Sequence, residues 1–169
     1  MTSFFLFSKA LNLVRTLGTS PHLAKHVRRI GEASLSHTIN PYSLHVVIRD
    51  FPKIGFTDDG IREAAISAIR NLCNLYSCIW TRDGTMKSQM LDAVKDYCPK
   101  LRELEINGRH KWNYGPDQLL LFSRLEKITL LMPSSDVTNE LVKWCRSNGE
   151  NLRELTLICK VRGYFSRPW

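Results

Sequence analysis

Four six-residue segments with the same apolar pattern constrain the fold of this chain more than any other feature of its sequence. Each segment begins with a leucine and has further apolar residues at its fourth and sixth positions, the pattern L-x-x-h-x-h. The segments are 75–80 (LYSCIW), 101–106 (LRELEI), 125–130 (LEKITL) and 152–157 (LRELTL). Their first leucines are 26, 24 and 27 residues apart, which indicates that one structural unit repeats along the chain.

Between these segments the apolar spacing changes from every second residue to every third or fourth, as in a helix. The clearest helical runs are Ile61, Ala65, Ile69, Leu72 and Met86, Met90, Val94, Tyr97. The third interval offers only 117–123, which predicts a 3₁₀ or brief α-helical segment. The candidate residues for capping the helix starts are Asp58 or Asp59, Thr85, and Ser135 or Asp136.

A strand followed by a helix, repeated at this spacing, is the unit of leucine-rich repeats. The sequence therefore predicts an α/β fold, a leucine-rich-repeat solenoid with short parallel strands on the concave face and helices on the convex face. No single unit of such an array can bury its own apolar face. We therefore expect the h residues of neighbouring units, such as Leu104, Ile128 and Leu155, to share one core.

The repeat pattern divides the chain into three parts. Residues 1–20 are predicted to form an N-terminal helical segment, 21–160 the repeat domain, and 161–169 a non-repeat tail whose aromatic residues cover the end of the stack. Within the domain the first units are irregular, and four clearer strands are predicted at 75–80, 101–106, 125–130 and 152–157. Strands are also expected at 27–30 and 44–48. The strand at 44–48 would belong to one atypical repeat that lies between the units of Ile30 and Cys78.

The distribution of charge limits the classes of partner. The 169 residues include 24 Lys and Arg against 16 Asp and Glu, a formal net charge of +8. The excess lies near the two ends, whereas 51–150 is almost neutral, so the basic stripe of a nucleic-acid-binding domain is not predicted. The longest apolar runs, 4–7 and 119–122, are far shorter than the ~20 residues of a membrane helix. We predict neither a nucleic acid nor a membrane as partner.

Cysteine, histidine and acidic residues do not form a recognisable site. The five cysteines are an odd set without a C-x-x-C pair, which favours reduced thiols in the cytoplasm or nucleus. His22 and His26 are four residues apart but lack the glutamate of a zinc-protease motif, so no metal and no cofactor is predicted. Glu103 and Glu105 could in principle do acid–base work, but a solvated repeat face explains them better. No catalytic residue is assigned, and the chain is predicted not to be an enzyme.

Several stretches resemble the repeat region of basidiomycete F-box proteins with leucine-rich repeats. They are 20–30 (SPHLAKHVRRI), 80–85 (WTRDGT), 101–108 (LRELEING) and 157–160 (LICK). The run Cys98-Pro99-x-Leu101 is also similar to the helix-to-strand junction of cysteine-containing repeats. The resemblance covers roughly 10–160. It implies a substrate-recognition subunit of a cullin-type ubiquitin ligase, in which the F-box docks an adaptor and the repeats present a curved surface to a target.

The chain departs from this family in two respects. It lacks a Leu-Pro-x-Glu-Leu-Leu-like F-box opening, so we do not expect a Skp-type adaptor to bind it directly. Its residues 161–169 abandon the repeat pattern where further repeats would be expected, and we interpret the chain as a possible truncated form. The usual repeat consensus also carries Asn or Cys eight positions after the first leucine. The residues at those positions here are Asp83, Arg109, Pro133 and Lys160, which predicts irregular loops.

These observations favour a non-enzymatic protein-interaction module and leave two alternatives. The residues before Glu32 include five Lys or Arg, several Ser and Thr, and no acidic residue, which is also typical of a mitochondrial transit segment. The second alternative is a non-functional gene fragment.

The partner-binding site is predicted on the concave face of the strands. In an extended strand alternate residues point to opposite faces, so the residues flanking each h position face away from the core. The predicted site residues are Ser77, Ile79, Thr81, Glu103, Glu105, Asn107, Lys127, Thr129, Glu154 and Thr156, and alternation adds Leu131 and Ile158. With three acids to one base, this face suits a basic or mixed segment of a target protein. The alternative is an ordinary solvated sheet face.

Overall fold

The computed structural model of this protein describes residues 2–31, 44–47, 59–81, 86–109 and 113–159. Helices in these ranges are α1 (Thr2–Thr19), α2 (Pro21–Ala24), α3 (Asp59–Asn71), α4 (Ser88–Tyr97) and α5 (Ser135–Asn148), with 3₁₀ helices at Pro116–Leu121 and Gly149–Asn151. Strands are β1 (Val27–Gly31), β2 (Leu44–Val47), β3 (Ser77–Trp80), β4 (Glu103–Asn107), β5 (Lys127–Leu131) and β6 (Glu154–Ile158). The predicted α/β class is confirmed.

The strands form one sheet in the order β2-β1-β3-β4-β5-β6, and every pair is parallel. From β3 to β6, neighbours in the sheet are also neighbours along the chain, with a helix or 3₁₀ helix between them. The register keeps equivalent positions of the repeats together. Cys78, Leu104, Ile128 and Leu155 lie side by side across four strands.

Each of these strands begins two residues after the first leucine of its repeat, not at that leucine as predicted. The leucine closes a turn instead: the backbone N–H of Leu75 donates to the carbonyl of Leu72, and Leu101 and Leu152 make the same bond three residues back. Leu75 and Leu101 are buried. The first leucine of a repeat therefore packs into the core from the turn, and the strand begins two residues later.

The core lies between one face of the sheet and the helices. Burial alternates along β4, where Leu104 and Ile106 are buried and Glu103 and Glu105 are only partly covered. The buried residues share one apolar cluster with the inward sides of the helices. The helix residues in this cluster include Ala65, Ile69, Met90, Val94, Leu141 and Trp144. Burial of these side chains is the main favourable contribution to folding.

The third interval and the helix starts follow the predictions in part. The segment at Pro116–Leu121 is a 3₁₀ helix, as predicted for the shortest interval. The start of α5 is capped by Ser134, whose hydroxyl accepts a hydrogen bond from the N–H of Val137, and not by Ser135 or Asp136. Of the other predicted cap residues, Asp58 and Thr85 lie outside the described residues, and Asp59 is the first residue of α3.

The N-terminal helix packs against α3. Val14 and Leu17 of α1 are buried, and the side-chain amide of Asn71 donates to the carbonyls of Leu17 (3.0 Å) and Gly18 (2.9 Å). These bonds satisfy carbonyls that have no partner within the end of a helix. None of the described helices has both the length and the apolar character needed to cross a membrane.

The second strand occupies a different place from the one predicted. The strand β2 pairs with the outer side of β1, and β1 pairs directly with β3 through Arg29 and Ser77, Ile30 and Cys78. The prediction of an atypical repeat between them was wrong. A register shift between Val27 and Arg29 accompanies this pairing.

The last strand differs from the inner ones in burial. Leu104 and Ile128 are buried as predicted, but Leu155, at the same position of β6, is 42% exposed, and Leu157 is 39% exposed. The prediction of burial for Leu155 was therefore wrong. The inner strands have a neighbouring strand on both sides, whereas β6 pairs only with β5 among the described residues. The predicted covering tail, 161–169, lies outside the described residues.

Candidate interaction surface

The sheet has a second face, opposite the helices, which we call the open face. It consists of the residues that alternate with those on the helix side of the sheet along β1 and β3 to β6, and two of them, Ser77 and Thr129, are themselves buried. These residues are Arg29, Ser77, Ile79, Glu103, Glu105, Asn107, Lys127, Thr129, Leu131, Glu154, Thr156 and Ile158. The predicted residue Thr81 lies just beyond the end of β3. The structure thus brings all the predicted site residues except Thr81 onto one surface.

Parallel pairing arranges these residues in rows across the strands. The first row runs Arg29, Ser77, Glu103, Lys127, Glu154. The second runs Ile79, Glu105, Thr129, Thr156. A chain segment lying across the strands would therefore meet a charged row and, beside it, a row with one acid, two hydroxyls and an isoleucine.

Two ion pairs lie within the first row. The ammonium of Lys127 lies 2.7 Å from a carboxylate oxygen of Glu154, and the guanidinium of Arg29 lies 3.9 Å from Glu103. Sequence reasoning missed Arg29, so the ratio of acids to bases on this face is three to two, and the predicted ratio of three to one was wrong. The sequence alone could have identified Arg29 as a residue of this face, because aligning the strand residue Ile30 with Cys78 places Arg29 beside Ser77.

A further charged row lies at the start of the strands and was also missed. The backbone ladder extends one residue before each strand, through Tyr76, Arg102, Glu126 and Arg153. The carboxylate of Glu126 lies between the side chains of Arg102 (3.6 Å) and Arg153 (3.7 Å). Burial raises the pKa of the Tyr76 phenol, and the carboxylates of Glu126 and Glu103 raise it further. Arg102 and Arg153 lower this pKa, but the net shift is upward. Tyr76 therefore stays neutral at physiological pH.

The side chain of Asn107 is used within the protein. Its amide nitrogen donates to the carbonyl of Thr81 (3.1 Å), and its amide oxygen accepts from the backbone N–H of Arg109 (2.9 Å). The hydroxyl of Tyr114 donates to the Asn107 carbonyl at 2.8 Å. Asn107 thus ties together the loops that follow β3 and β4. Its role on the open face is to fix the edge of the surface.

A groove of about 120 Å³ lies between the two rows. Its lining residues are Arg29, Ser77, Ile79, Glu103, Leu104, Glu105, Lys127 and Thr129. Ser77 is only 1% exposed, and its hydroxyl oxygen has no hydrogen-bond partner in the described part of the chain. A buried hydroxyl without a hydrogen-bond partner lowers the stability of the folded state, so stability does not explain why position 77 is a serine.

A wider depression of about 660 Å³ lies on the helix side, beside α5. It is lined by side chains such as Asp117, Asn139 and Lys143. Its polar groups are partly or fully exposed, and the exposed side chain of Val142 is its main apolar member. A solvated helix surface accounts for this depression.

The described residues contain no group of three or more His, Cys, Asp and Glu side chains placed to hold a metal ion. The five cysteines are free thiols. Burial raises the pKa of Cys78 to about 12 and also raises that of Cys98, so both thiols are protonated at neutral pH. A protonated, buried thiol is a poor nucleophile.

Comparison with protein-family models, curated proteins and solved structures found no match to this chain.

Proposed function

We propose that this chain is a non-enzymatic protein-interaction module, a leucine-rich-repeat solenoid that binds a segment of a partner protein across its open face. The observation that carries the proposal is the first row, in which the charged side chains Arg29, Glu103, Lys127 and Glu154 alternate in sign across the parallel strands, with the uncharged Ser77 between the first two. Such an arrangement favours a segment of complementary charge and specifies how it lies.

The repeat architecture supports the solenoid part of the proposal. From β3 to β6 each unit adds one strand to the sheet and one helix or 3₁₀ helix to the layer behind it. The apolar residues of successive units join in one cluster. Stacked units of this kind form an extended surface on which several strands contribute to one partner site.

The resemblance to F-box proteins supplies the biological setting of the proposal. It suggests that the partner is a substrate of a cullin-type ubiquitin ligase, recognised by a cytoplasmic or nuclear protein. A Skp-type adaptor would then be contacted by a separate F-box and not by this chain. The geometry of the open face bears only on the binding step.

The contacts of α1 favour this proposal over a cleaved mitochondrial segment. The helix buries Val14 and Leu17 and is held to α3 by both hydrogen bonds of Asn71. Removing the segment would expose the apolar side of α3 and leave the Asn71 amide without these partners. We therefore propose that α1 is an integral part of the folded module.

A charge-reversal experiment tests the proposal. Candidate partners are identified by proximity labelling, and binding of each purified candidate is measured for the double variant Glu103→Lys with Glu105→Lys. The matched control makes the same change in charge on the helix side, Glu140→Lys with Glu150→Lys.

We expect the open-face variant to lose about tenfold or more in affinity, because hydrogen bonds to charged groups contribute about 1.5–3 kcal/mol each. The control should bind as the wild type does. Circular dichroism and the melting temperature verify that both variants fold. Wild-type affinity in the folded open-face variant would contradict the proposal.

A further inference from the structure

The groove on the open face holds a donor and an acceptor that face each other without forming a hydrogen bond. A guanidinium nitrogen of Arg29 and a carboxylate oxygen of Glu103 lie 3.9 Å apart, beyond the roughly 2.7–3.2 Å of an N–H···O bond. Ser77 lies between these two residues in the first row and lines the same groove. Its buried hydroxyl oxygen has no hydrogen-bond partner in the described ranges. The groove therefore brings a donor, an acceptor and an unsatisfied hydroxyl to one place.

We propose that this groove binds a carboxamide side chain of the partner protein, that of a glutamine or an asparagine. The amide oxygen accepts hydrogen bonds from the Arg29 guanidinium and the Ser77 hydroxyl, and the amide nitrogen donates to the Glu103 carboxylate. The inference rests on the proposed function and names the chemistry that one position of the bound segment carries. Glu105 has no role in these contacts.

The spacing of the two charged groups matches a carboxamide. The oxygen and nitrogen of a primary amide are about 2.3 Å apart, as its C=O and C–N bond lengths require. When the carboxamide stands over the ion pair, these two atoms reach Arg29 and Glu103 in nearly parallel hydrogen bonds of about 2.9 Å. The 3.9 Å between the charged groups fits this arrangement, so the pair does not have to separate when the segment binds.

The charges of the pair favour a neutral group over an ion. An ammonium group beside Glu103 would also lie beside the Arg29 guanidinium, and a carboxylate beside Arg29 would also lie beside Glu103. Either ion therefore meets a like charge close to the opposite charge that attracts it. A lysine has only donors and an ionised carboxylate only acceptors, whereas a carboxamide has both.

Other neutral groups fit this groove less well. A backbone peptide bond is trans, so its C=O and N–H point to opposite sides and cannot reach both Arg29 and Glu103. A serine or threonine hydroxyl is bonded directly to Cβ, so the backbone would have to enter the groove. At about 120 Å³ the groove is much smaller than the roughly 300–1,000 Å³ of ligand pockets and suits the end of one side chain. Ile79 lines the groove and provides an apolar contact for the methylene groups that carry the carboxamide.

Short peptides test the inference directly. The probes are acetylated and amidated Gly-Ala-X-Ala-Gly peptides in which X is glutamine or asparagine. Binding to the full chain is followed by backbone amide chemical shifts in ¹⁵N-labelled protein. We expect at least one of the two peptides to cause saturable shifts at Arg29, Ser77 and Glu103. The expected Kd is on the order of a few mM, because a single side chain supplies the contact.

The control peptides carry Nδ,Nδ-dimethylglutamine, lysine, glutamate or threonine at X. Each should bind at least about tenfold more weakly, because it lacks the amide donors, the acceptor or the reach of a carboxamide. No saturable shift with glutamine or asparagine at about ten times the expected Kd would overturn the inference. Equal binding of any control peptide would also overturn it, because the carboxamide would then not be the group that the groove recognises.

The variant Glu103→Met tests the acceptor. It replaces the carboxylate by an apolar group on a side chain of similar length, and it should weaken binding of the carboxamide peptide about tenfold. The control Glu150→Met makes the same change in charge on the helix side and should bind the peptide as the wild type does. The melting temperature verifies that both variants fold. Wild-type affinity in the folded Glu103→Met variant would contradict the inference.

The variant Ser77→Ala separates binding from a purely structural role of the hydroxyl. Removing an unpartnered buried hydroxyl should raise the melting temperature, by at least about 2 °C, while weakening the carboxamide peptide severalfold. The control Ser147→Ala removes an exposed hydroxyl on α5 and should leave peptide binding unchanged. A raised melting temperature with wild-type peptide affinity in Ser77→Ala would contradict the assignment of Ser77.

Failure of this inference differs from failure of the proposed function. A partner that binds the open face while neither carboxamide peptide does would refute only the carboxamide site. Saturable binding of a carboxamide peptide, with no effect of charge reversal on the protein partner, would refute only the proposed function.

Discussion

Truncation of equivalent leucines in two repeats tests how far the repeat core extends. Leu104 of β4 and Leu155 of β6 occupy the same position in L-x-x-h-x-h, but their exposed fractions are 1% and 42%. Leu104→Ala leaves a cavity between sheet and helices, and such substitutions cost about 2–5 kcal/mol. Leu155 buries little more than half of its side chain and borders no closed core. Its truncation should cost about 1 kcal/mol, half of the value for a fully buried leucine.

Urea denaturation followed by circular dichroism measures both free energies of unfolding. For a chain of this length the melting temperature should fall by about 2–4 °C for each kcal/mol lost, so Leu104→Ala melts well below Leu155→Ala. The slope of free energy against urea should be unchanged in both variants if only native packing is affected. Equal losses in the two variants would refute the reasoning, because Leu155 would then be as well covered as Leu104.

Two further predictions concern backbone packing and the buried thiols. A Cβ at Gly108 would lie 2.5 Å from the Cα of Pro133, so Gly108→Ala should destabilise the protein by about 1–3 kcal/mol. The control is Gly149→Ala, which should be neutral or slightly stabilising because no atom lies within 4 Å of the added Cβ. Equal losses of stability for the two variants in a thermal melt would contradict the close packing of Gly108 against Pro133. Burial raises the pKa of Cys78 from 9.0 to about 12, so the unfolded chain ionises first and stability should fall as pH rises between these values, by up to about 1.4 kcal/mol per pH unit. Denaturation across this range should show a shallower fall in Cys78→Ala, and identical slopes would refute the burial of this thiol.

The inner repeats could be predicted from the sequence because their local pattern and their packing agree. Period-two alternation assigns Leu104 and Ile128 to the core, and the spacing of the leucines sets the register of β3 to β6. The same pattern could not show whether the first leucine of each repeat lies in the strand or in the turn before it. A buried leucine in a turn and one in a strand have the same spacing to the residues that follow.

The ends of the sheet could not be predicted, because burial there depends on which element lies alongside. Leu155 has nearly the same local sequence as Leu104, LRELTL against LRELEI, but no further described strand lies beside it. The place of β2 outside β1 follows from tertiary pairing and not from chain order.

Most residues of the open face were predicted from alternation along the strands, but Arg29 was missed, Thr81 lies beyond the end of β3, and the electrostatics of the face were not predicted. Alternation identifies which residues face away from the core, whereas the Lys127–Glu154 and Arg29–Glu103 contacts depend on the rotamers of long side chains. Ser77, which is buried, lies between Arg29 and Glu103 of the neighbouring strands. No pattern within one strand could have indicated it.

Site-specific photo-crosslinking tests the central claim, that the open face is the partner-binding surface, most directly. A photoreactive amino acid is placed at Glu105 or Thr156 on the open face, and in separate variants at Gln89 or Lys143 on the helix side. After irradiation of cells, we expect the same partner protein to be crosslinked from both open-face positions and from neither helix-side position. Crosslinking of that partner from the helix side, with none from the open face, would contradict the claim.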